Sequence, residues 1–174
     1  MIRTRKALWK KMSQETEIVA QFGHRLRMRV SGICLLEGRI LLVKHRYLGQ
    51  NGYLWAPPGG GMQYGQSAAE NLQREFEEET GLQIRVGNFL FVNEFLAPPL
   101  HAVELFFEVS LLGGVLKKGI DPEMPADKQI IEEAAYWNEA DLRHENPRNL
   151  HQVFRNIDKL SLILKKNGYH LSSD

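Results

Sequence analysis

No uninterrupted apolar run in this chain is longer than a β-strand, and that limits the fold more than any other feature. Ile40 to Val43 and Leu105 to Phe107 are representative, whereas a membrane span needs roughly 20 apolar residues in succession. The apolar residues fall in short segments rich in β-branched and aromatic side chains, which suit a pleated, half-buried surface. Val30 to Leu36 and Ile40 to His45 flank Glu37-Gly38-Arg39 and predict a hairpin, with Gly38 able to supply the positive φ of a tight turn. Further strands are predicted at about 82 to 96 and 102 to 112, and a short one around Ala134 to Trp137.

Residues 46 to 66 hold six glycines and two prolines, which predicts a loop long enough to suggest a function of its own. Ser67 then precedes a helical run, Ala68 to Thr80, with Glu70 three residues after the cap and Gly81 at the far end. That is a capping box and a C-terminal cap. Near the end of the chain, Asn146, Pro147 and Gly168 bracket a stripe of Leu150, Val153, Ile157, Leu160 and Leu164, and together they predict a helix. Residues 4 to 22 could form another through Leu8, Met12, Ile18 and Val19. Arg3, Arg5, Lys6, Lys10 and Lys11 make that segment basic, either as a solvated face or as a phosphate contact. Strands in the middle and helices after them indicate an α+β domain in layers.

The 174-residue length argues for one domain with room for a terminal extension. A formal net charge of +1 supports neither general nucleic-acid binding nor a membrane-surface role. Cys34, alone of its kind, cannot form an internal disulfide and reads as a small buried hydrophobe. The N-terminus lacks the apolar core of a signal peptide, and a cytoplasmic protein is expected.

Chemistry concentrates in the helix after the glycine loop. Glu75, Glu78 and Glu79 lie within an arc of about 100° on a 3.6-residue helix, while Glu77 points elsewhere. Ala69, Leu72 and Phe76 form the neighbouring apolar stripe, so the carboxylates edge a buried face. Like charges at these spacings cost about 0.2–0.5 kcal/mol per pair on an exposed helix, which is tolerable and by itself proves no cation. Upstream, Trp55-Ala56-Pro57-Pro58-Gly59-Gly60-Gly61 brings in backbone that can approach a ligand closely. Several carboxylates plus a carbonyl are the hard oxygen donors that magnesium or manganese prefers.

The segment Gly60 to Leu82 resembles the Nudix box, with Gly60, Arg74, Glu75, Phe76, Glu78, Glu79, Gly81 and Leu82 at the required spacing. Six such identities would coincide by chance about once in 10⁷ at a given start. The hairpin before the box, the approach from Trp55 to Gly60 and the later Trp137 extend the likeness over residues 25 to 143. Residues 1 to 24 and 144 to 174 would then be a basic extension and a C-terminal helix, packed on the domain or at an interface. The resemblance implies an α/β/α sandwich around a mixed sheet. It also implies a metal site of the Gly60 carbonyl, Glu75, Glu78 and Glu79, loaded with Mg2+ or Mn2+. Arg74 would orient the glutamates, and the general base would be Glu75 or Glu78, with Glu133 an outside candidate. The implied activity is hydrolysis of a phosphoanhydride in a small-molecule nucleotide, a nucleoside diphosphate linked to another group. A homodimer is among the assemblies the resemblance allows.

Two positions depart from the pattern: Gln66 stands where the box has its first glutamate, and Gln63 also replaces a frequent acid. Glutamine keeps an acceptor oxygen but loses the charge. The alternative reading is therefore a catalytically silent nucleotide-binding or ligand-sensing module. A regulator of that kind usually carries a DNA-binding unit, for which residues 144 to 174 are too short. For substrate, Pro98 lies sixteen residues after Leu82, a spacing that resembles ADP-ribose-type members; a nucleoside triphosphate, (d)NTP, is the rival and nucleotide sugars stay open. His45, Arg46 and Tyr53 are expected on the cleft side, Arg46 at phosphate and Tyr53 or Trp55 stacked on a base. A solvated charge and core packing are the competing readings for Arg46 and Trp55. His101 and Glu104 fall on opposite faces of one strand.

Overall fold

The computed structural model describes residues 19–20, 22–49, 51–122, 129–155 and 157–173. The basic residues Arg3 to Lys11 lie outside them, as does almost all of the helix expected over 4 to 22. In chain order the elements are β1 (Leu26–Leu36), β2 (Arg39–Arg46), β3 (Tyr53–Ala56), β4 (Gly59–Gly61), α1 (Ala68–Thr80), β5 (Leu82–Ala97), β6 (Leu100–Gly114), β7 (Ile131–Trp137), α2 (Glu139–His144) and β8 (Tyr169–Ser172).

The expected hairpin forms. Glu37 and Gly38 carry φ of 49° and 73°, so both central residues of the turn are left-handed, as a two-residue turn matched to strand twist requires. Pairing then stops after Leu36↔Arg39 and Leu35↔Ile40, and the two strands part. Strand β1 continues parallel to β6 from Leu26↔His101 to Cys34↔Val109 and takes β4 antiparallel at Arg29↔Gly61, Val30↔Gly60 and Ser31↔Gly59. Strand β2 goes instead to β3 and β7. The full order is β3-β2-β1-β6-β5-β8, with β4 and β7 as side branches on β1 and β2. The β1/β6 and β5/β8 pairs are parallel and the others antiparallel, so the sheet is mixed. The splayed hairpin matters for function, because β4 enters the gap and carries the glycine segment beneath α1.

Alternation along the strands feeds two cores. On one face Val30, Cys34, Leu41, Ile84 and Val109 meet Leu72 and Phe76 of α1. On the other, Ile33, Ile40, Leu42, Phe91 and Phe106 meet Leu150, Val153, Phe154, Leu160 and Ile163 of the C-terminal tail. Covered on both faces, Ile40 to Val43 is fully buried, which explains its unbroken apolar run. The layered sandwich expected from the resemblance is thus present. Cys34 is buried within it, and burial pushes its thiol up to about 11, so it behaves as a small hydrophobe. Among the described residues no helix is long and apolar enough to cross a membrane.

Two expectations need correction. The stretch from 46 to 66 is not all loop, because Tyr53–Ala56 pairs with β2 and Gly59–Gly61 pairs with β1. The C-terminal helix does not form either. Residues 147–149, 152–154 and 160–165 make separate 3-10 turns, and Tyr169–Ser172 becomes a strand beside β5. Turns of three residues bury positions i and i+3, so Leu150 with Val153 and Leu160 with Ile163 produce part of the spacing that a helix would. Tertiary contacts override a continuous helix: Leu150 bridges to Trp55, and the His151 N–H donates to the Trp55 carbonyl at 2.8 Å. The apolar stripe is spent within the chain.

Candidate active site

Helix α1 is fastened at both ends, and this is what makes its carboxylates a rigid array. At the N-terminus the Glu70 N–H donates to Ser67 Oγ at 3.2 Å, and the Ser67 N–H donates to Glu70 Oε2 at 2.8 Å. At the C-terminus all four last carbonyls are filled. Gly81, Ile120, Gly119 and Lys117 donate their N–H groups to the oxygens of Glu77, Glu78, Glu79 and Thr80 at 2.9, 3.0, 2.9 and 3.0 Å. A helix end of this kind does not fray.

Three of the predicted residues converge where the helix crosses β4. Glu79 is buried; its Oε2 accepts the Gly59 N–H at 2.9 Å and its Oε1 lies 3.2 Å from His45 Nε2. Glu75 is also buried, and its carboxyl presses on Gly60 so closely that a Cβ there would stand 2.3 Å from Glu75 Cδ. Glu78 is half-exposed. Arg74 joins the set: one guanidinium nitrogen donates to Glu78 Oε2 and the other to Glu75 Oε1, both at 2.8 Å. Burial, and next the Glu79 charge, push the Glu75 carboxyl up to about 7 against the opposing pull of Arg74.

This arrangement can be tested for a divalent ion on chemistry. Two buried carboxylates of like charge disfavour mutual ionisation, and a hard cation or a proton is what relieves them. The donors present are carboxylates and the backbone of a glycine turn, which is the oxygen set magnesium and manganese take. The residues fit. As the side chains stand, however, no group of three or more His, Cys, Asp or Glu among the described residues is gathered to hold a metal, and Glu78 is occupied with Arg74.

The other expected residues are not brought to this point. Strand alternation puts Arg46 on the opposite face of β2 from His45; its Nε donates to the Gln129 carbonyl at 2.6 Å and its guanidinium lies over Tyr47. Tyr53, opposite Arg46 in register, donates to Glu145 Oε1 at 3.0 Å and accepts from Asn149 Nδ2 at 2.6 Å. The substrate-binding expectation for this pair draws no support from their placement. Gln66 is exposed, just ahead of the Ser67 cap, and Glu133 is exposed on β7 opposite Lys44. Trp55 is buried against Trp137, ring centroids 4.6 Å apart, which favours its packing reading.

A second polar cluster escaped sequence reasoning. Glu104 of β6 is buried, with Ser31 Oγ donating to its Oε1 at 2.5 Å, His151 Nε2 at 3.0 Å from its Oε2 and Arg29 Nε 3.7 Å from Oε1. Burial alone would push this carboxyl up, but His151, Arg29 and Ser31 outweigh it and hold Glu104 at about 2. His101, on the other face as expected, pairs with Glu94 at 2.7 Å.

A box helix over a glycine turn, in a mixed sheet covered on both faces, defines a class, and comparison with known proteins places the chain in it. The NUDIX domain family model matches residues 25–157, and the chain belongs to the Nudix family. That match runs past residue 143, where the sequence likeness was expected to end. An ADP-ribose pyrophosphatase of Methanocaldococcus jannaschii is 35% identical over 94 residues, covering 53% of this chain and 55% of that protein. The chain thus spans about half the length of the curated relatives it matches. Among solved structures, the MutT protein of Methanosarcina mazei superposes with a TM-score of 0.61 at 19% identity, over 80% of this chain and 94% of that one. An ADP-ribose pyrophosphatase of Streptococcus suis gives 0.56 at 20% identity, over 82% and 98%. At such identities the structures speak for the fold.

Proposed function

We propose that this protein is a metal-dependent pyrophosphohydrolase that cleaves the phosphoanhydride of a nucleoside diphosphate joined to another group, with an ADP-ribose-like compound as the favoured substrate. The observation that carries this reading is the meeting of Glu75, Glu79 and the Gly59-Gly60 turn in one buried place, with Arg74 holding Glu75 and Glu78. The Gly60 carbonyl with Glu75, Glu78 and Glu79 would hold Mg2+ or Mn2+. Such an ion neutralises diphosphate charge and acidifies water. Arg74 orients two carboxylates, while His45 and the Gly59 N–H orient the third. Glu75 is the favoured general base, acting through a carboxylate oxygen that the ion leaves free. It takes a proton from the attacking water, the water oxygen bonds to phosphorus, and the bridging oxygen leaves with the other phosphate.

The ADP-ribose preference rests on the names of the curated relatives and on the place of Pro98 after the box. Hydrolysis of a (d)NTP is the competing substrate reading. The exposed Gln66, uncharged where the box carries an acid, favours the other class of reading, a silent nucleotide-binding module. One experiment separates them: chromatographic measurement of nucleoside monophosphate formed from ADP-ribose, nucleotide sugars and nucleoside triphosphates, with and without Mg2+. Magnesium-dependent turnover of ADP-ribose above that of the triphosphates is expected. Binding of a nucleotide without turnover of any compound would reject the enzyme.

A further inference from the structure

The Glu104 cluster has no place in the proposed chemistry, yet its partners lead back to the glycine turn. Arg29 and Glu104 face each other across β1 and β6, and Ser31 faces Gly59 across β1 and β4. The Arg29 guanidinium, its Nε in a long ion pair 3.7 Å from Glu104 Oε1, reaches the Gly59 carbonyl at 3.5 Å. His151, held by Glu104 through its ring, fixes the Trp55 carbonyl through its own N–H at 2.8 Å. The Ser31 hydroxyl, donating to the same carboxylate, sits where a side chain at Gly59 would go. The run from Trp55 to Gly59 is therefore gripped at Trp55 O and Gly59 O by residues that share one buried carboxylate, while Glu79 holds the Gly59 N–H from the opposite side.

We infer that Glu104 is a positioning residue for the glycine turn, holding Arg29 and His151 so that they set the Gly59-Gly60 backbone beneath Glu75 and Glu79. The inference rests on the metal-hydrolase reading for its purpose, though not for its geometry. A buried carboxylate with three partners is costly to assemble, and removing any one partner leaves an uncompensated charge or donor. Were it only a staple for the C-terminal tail, one contact to His151 would serve. Instead β1, β6 and the tail each supply a group, and the two groups that extend further both end on the same segment. The tail beyond residue 143 thereby becomes part of the active site's support.

The test uses the full chain, free of metal and substrate. Amide hydrogen exchange is followed at Gly59 and Met62 in the native protein, in Glu104→Gln, Arg29→Met and His151→Phe, and in Ile163→Val as a core variant that touches none of the cluster. Mn2+ affinity is read by electron paramagnetic resonance. Exchange at Gly59 is expected to quicken tenfold or more in the three cluster variants beyond the change in Ile163→Val, and the Mn2+ dissociation constant to rise by a similar factor. Arg29→Lys, which keeps the charge and a donor, should recover part of both. Arg29→Met guards against a Glu104 variant that fails to fold, since Arg29 is only half-buried. Native exchange at Gly59 in Arg29→Met and His151→Phe would overturn the inference and leave the cluster a staple. Exchange needs no metal, so a native protein that binds no Mn2+ would sink the metal reading while exchange still decides this one.

Discussion

Gly60→Ala isolates the geometry of the proposed metal site from its chemistry, because it leaves every proposed ligand in the chain. An added Cβ would lie 2.3 Å from Glu75 Cδ and Oε1 and 2.4 Å from Oε2, where ordinary contact begins at 3.4 Å. The carboxyl must then retreat by about 1 Å. It cannot simply swing aside, being tied to Arg74 at 2.8 Å and flanked by the Glu79 charge. A displacement of about 1 Å in a reacting constellation costs on the order of 10² in rate. Gly60 has no positive φ, so its backbone accepts alanine, and the lost freedom of the unfolded chain returns about 0.4–1 kcal/mol of stability against the crowding. The melting temperature should therefore move by only a few degrees. The assay is kcat at saturating Mg2+ on the best substrate of the panel, with thermal melts alongside. Gly61→Ala, whose Cβ would meet nothing within 4 Å, is the neighbouring control. A Gly60→Ala protein with kcat within threefold of native would refute the placement of Glu75 against the turn as a catalytic requirement.

Glu79→Gln keeps an acceptor for the Gly59 N–H but removes the charge, so turnover should fall by several orders of magnitude with the fold intact; near-native turnover would reject the metal assignment. Metal-free stability should fall as pH rises from 4.5 to about 7, because the folded state holds the Glu75 proton that the unfolded state has released. The loss amounts to at most about 3 kcal/mol and is read as the difference in unfolding free energy between native and Glu75→Gln in urea titrations at pH 5 and 8; a difference that is the same at both pH values would contradict it. Gly119→Ala would place a Cβ 1.9 Å from the Glu78 carbonyl oxygen and 2.4 Å from the Glu79 carbonyl carbon. Neither backbone atom can yield, so losing this helix cap should cost about 1–3 kcal/mol in chemical denaturation, and a change below about 0.5 kcal/mol would speak against it. Gln66→Glu should alter turnover less than tenfold at saturating Mg2+, since Gln66 is exposed before the cap; a hundredfold rise would instead favour a silent module.

Where local chemistry decides structure, the sequence was legible. The two-residue turn at Glu37 and Gly38, the capping box at Ser67 and Glu70, and the Gly81 cap all stand where their residue types predict, because each is settled within a few residues. The tail is not legible in this way, because the competing interaction is remote. Residues 147–165 carry a three-and-four spacing that helix and 3-10 turns share, and the choice between them is made by Trp55 and Glu104, far away in the chain. The β4 strand was hidden for a related reason: three glycines show no periodicity, and only their pairing with Arg29 to Ser31 makes them a strand.

The same division runs through the site. Helical phase alone places Glu75, Glu78 and Glu79 on one arc, but it cannot say that Glu79 meets Gly59 and His45, since that contact exists only because β1 and β2 part after two residue pairs and admit β4. Nor does phase separate buried Glu75 and Glu79 from half-exposed Glu78. A usable signal for the Glu104 cluster was nevertheless present. Along β6 the inward positions read Ala102, Glu104, Phe106, and along β1 the same face reads Arg27, Arg29, Ser31, Ile33, Leu35. An acid at a phase that alternation assigns to the interior is almost never left without partners, and β1 carries basic and hydroxyl side chains at that phase over the same stretch. Charges that break an apolar alternation on two strands point to each other. Here they also point to the turn that β4 lays across Arg29 and Ser31, which is why a polar flaw in the core pattern marks the floor beneath the glutamates rather than an accident of packing.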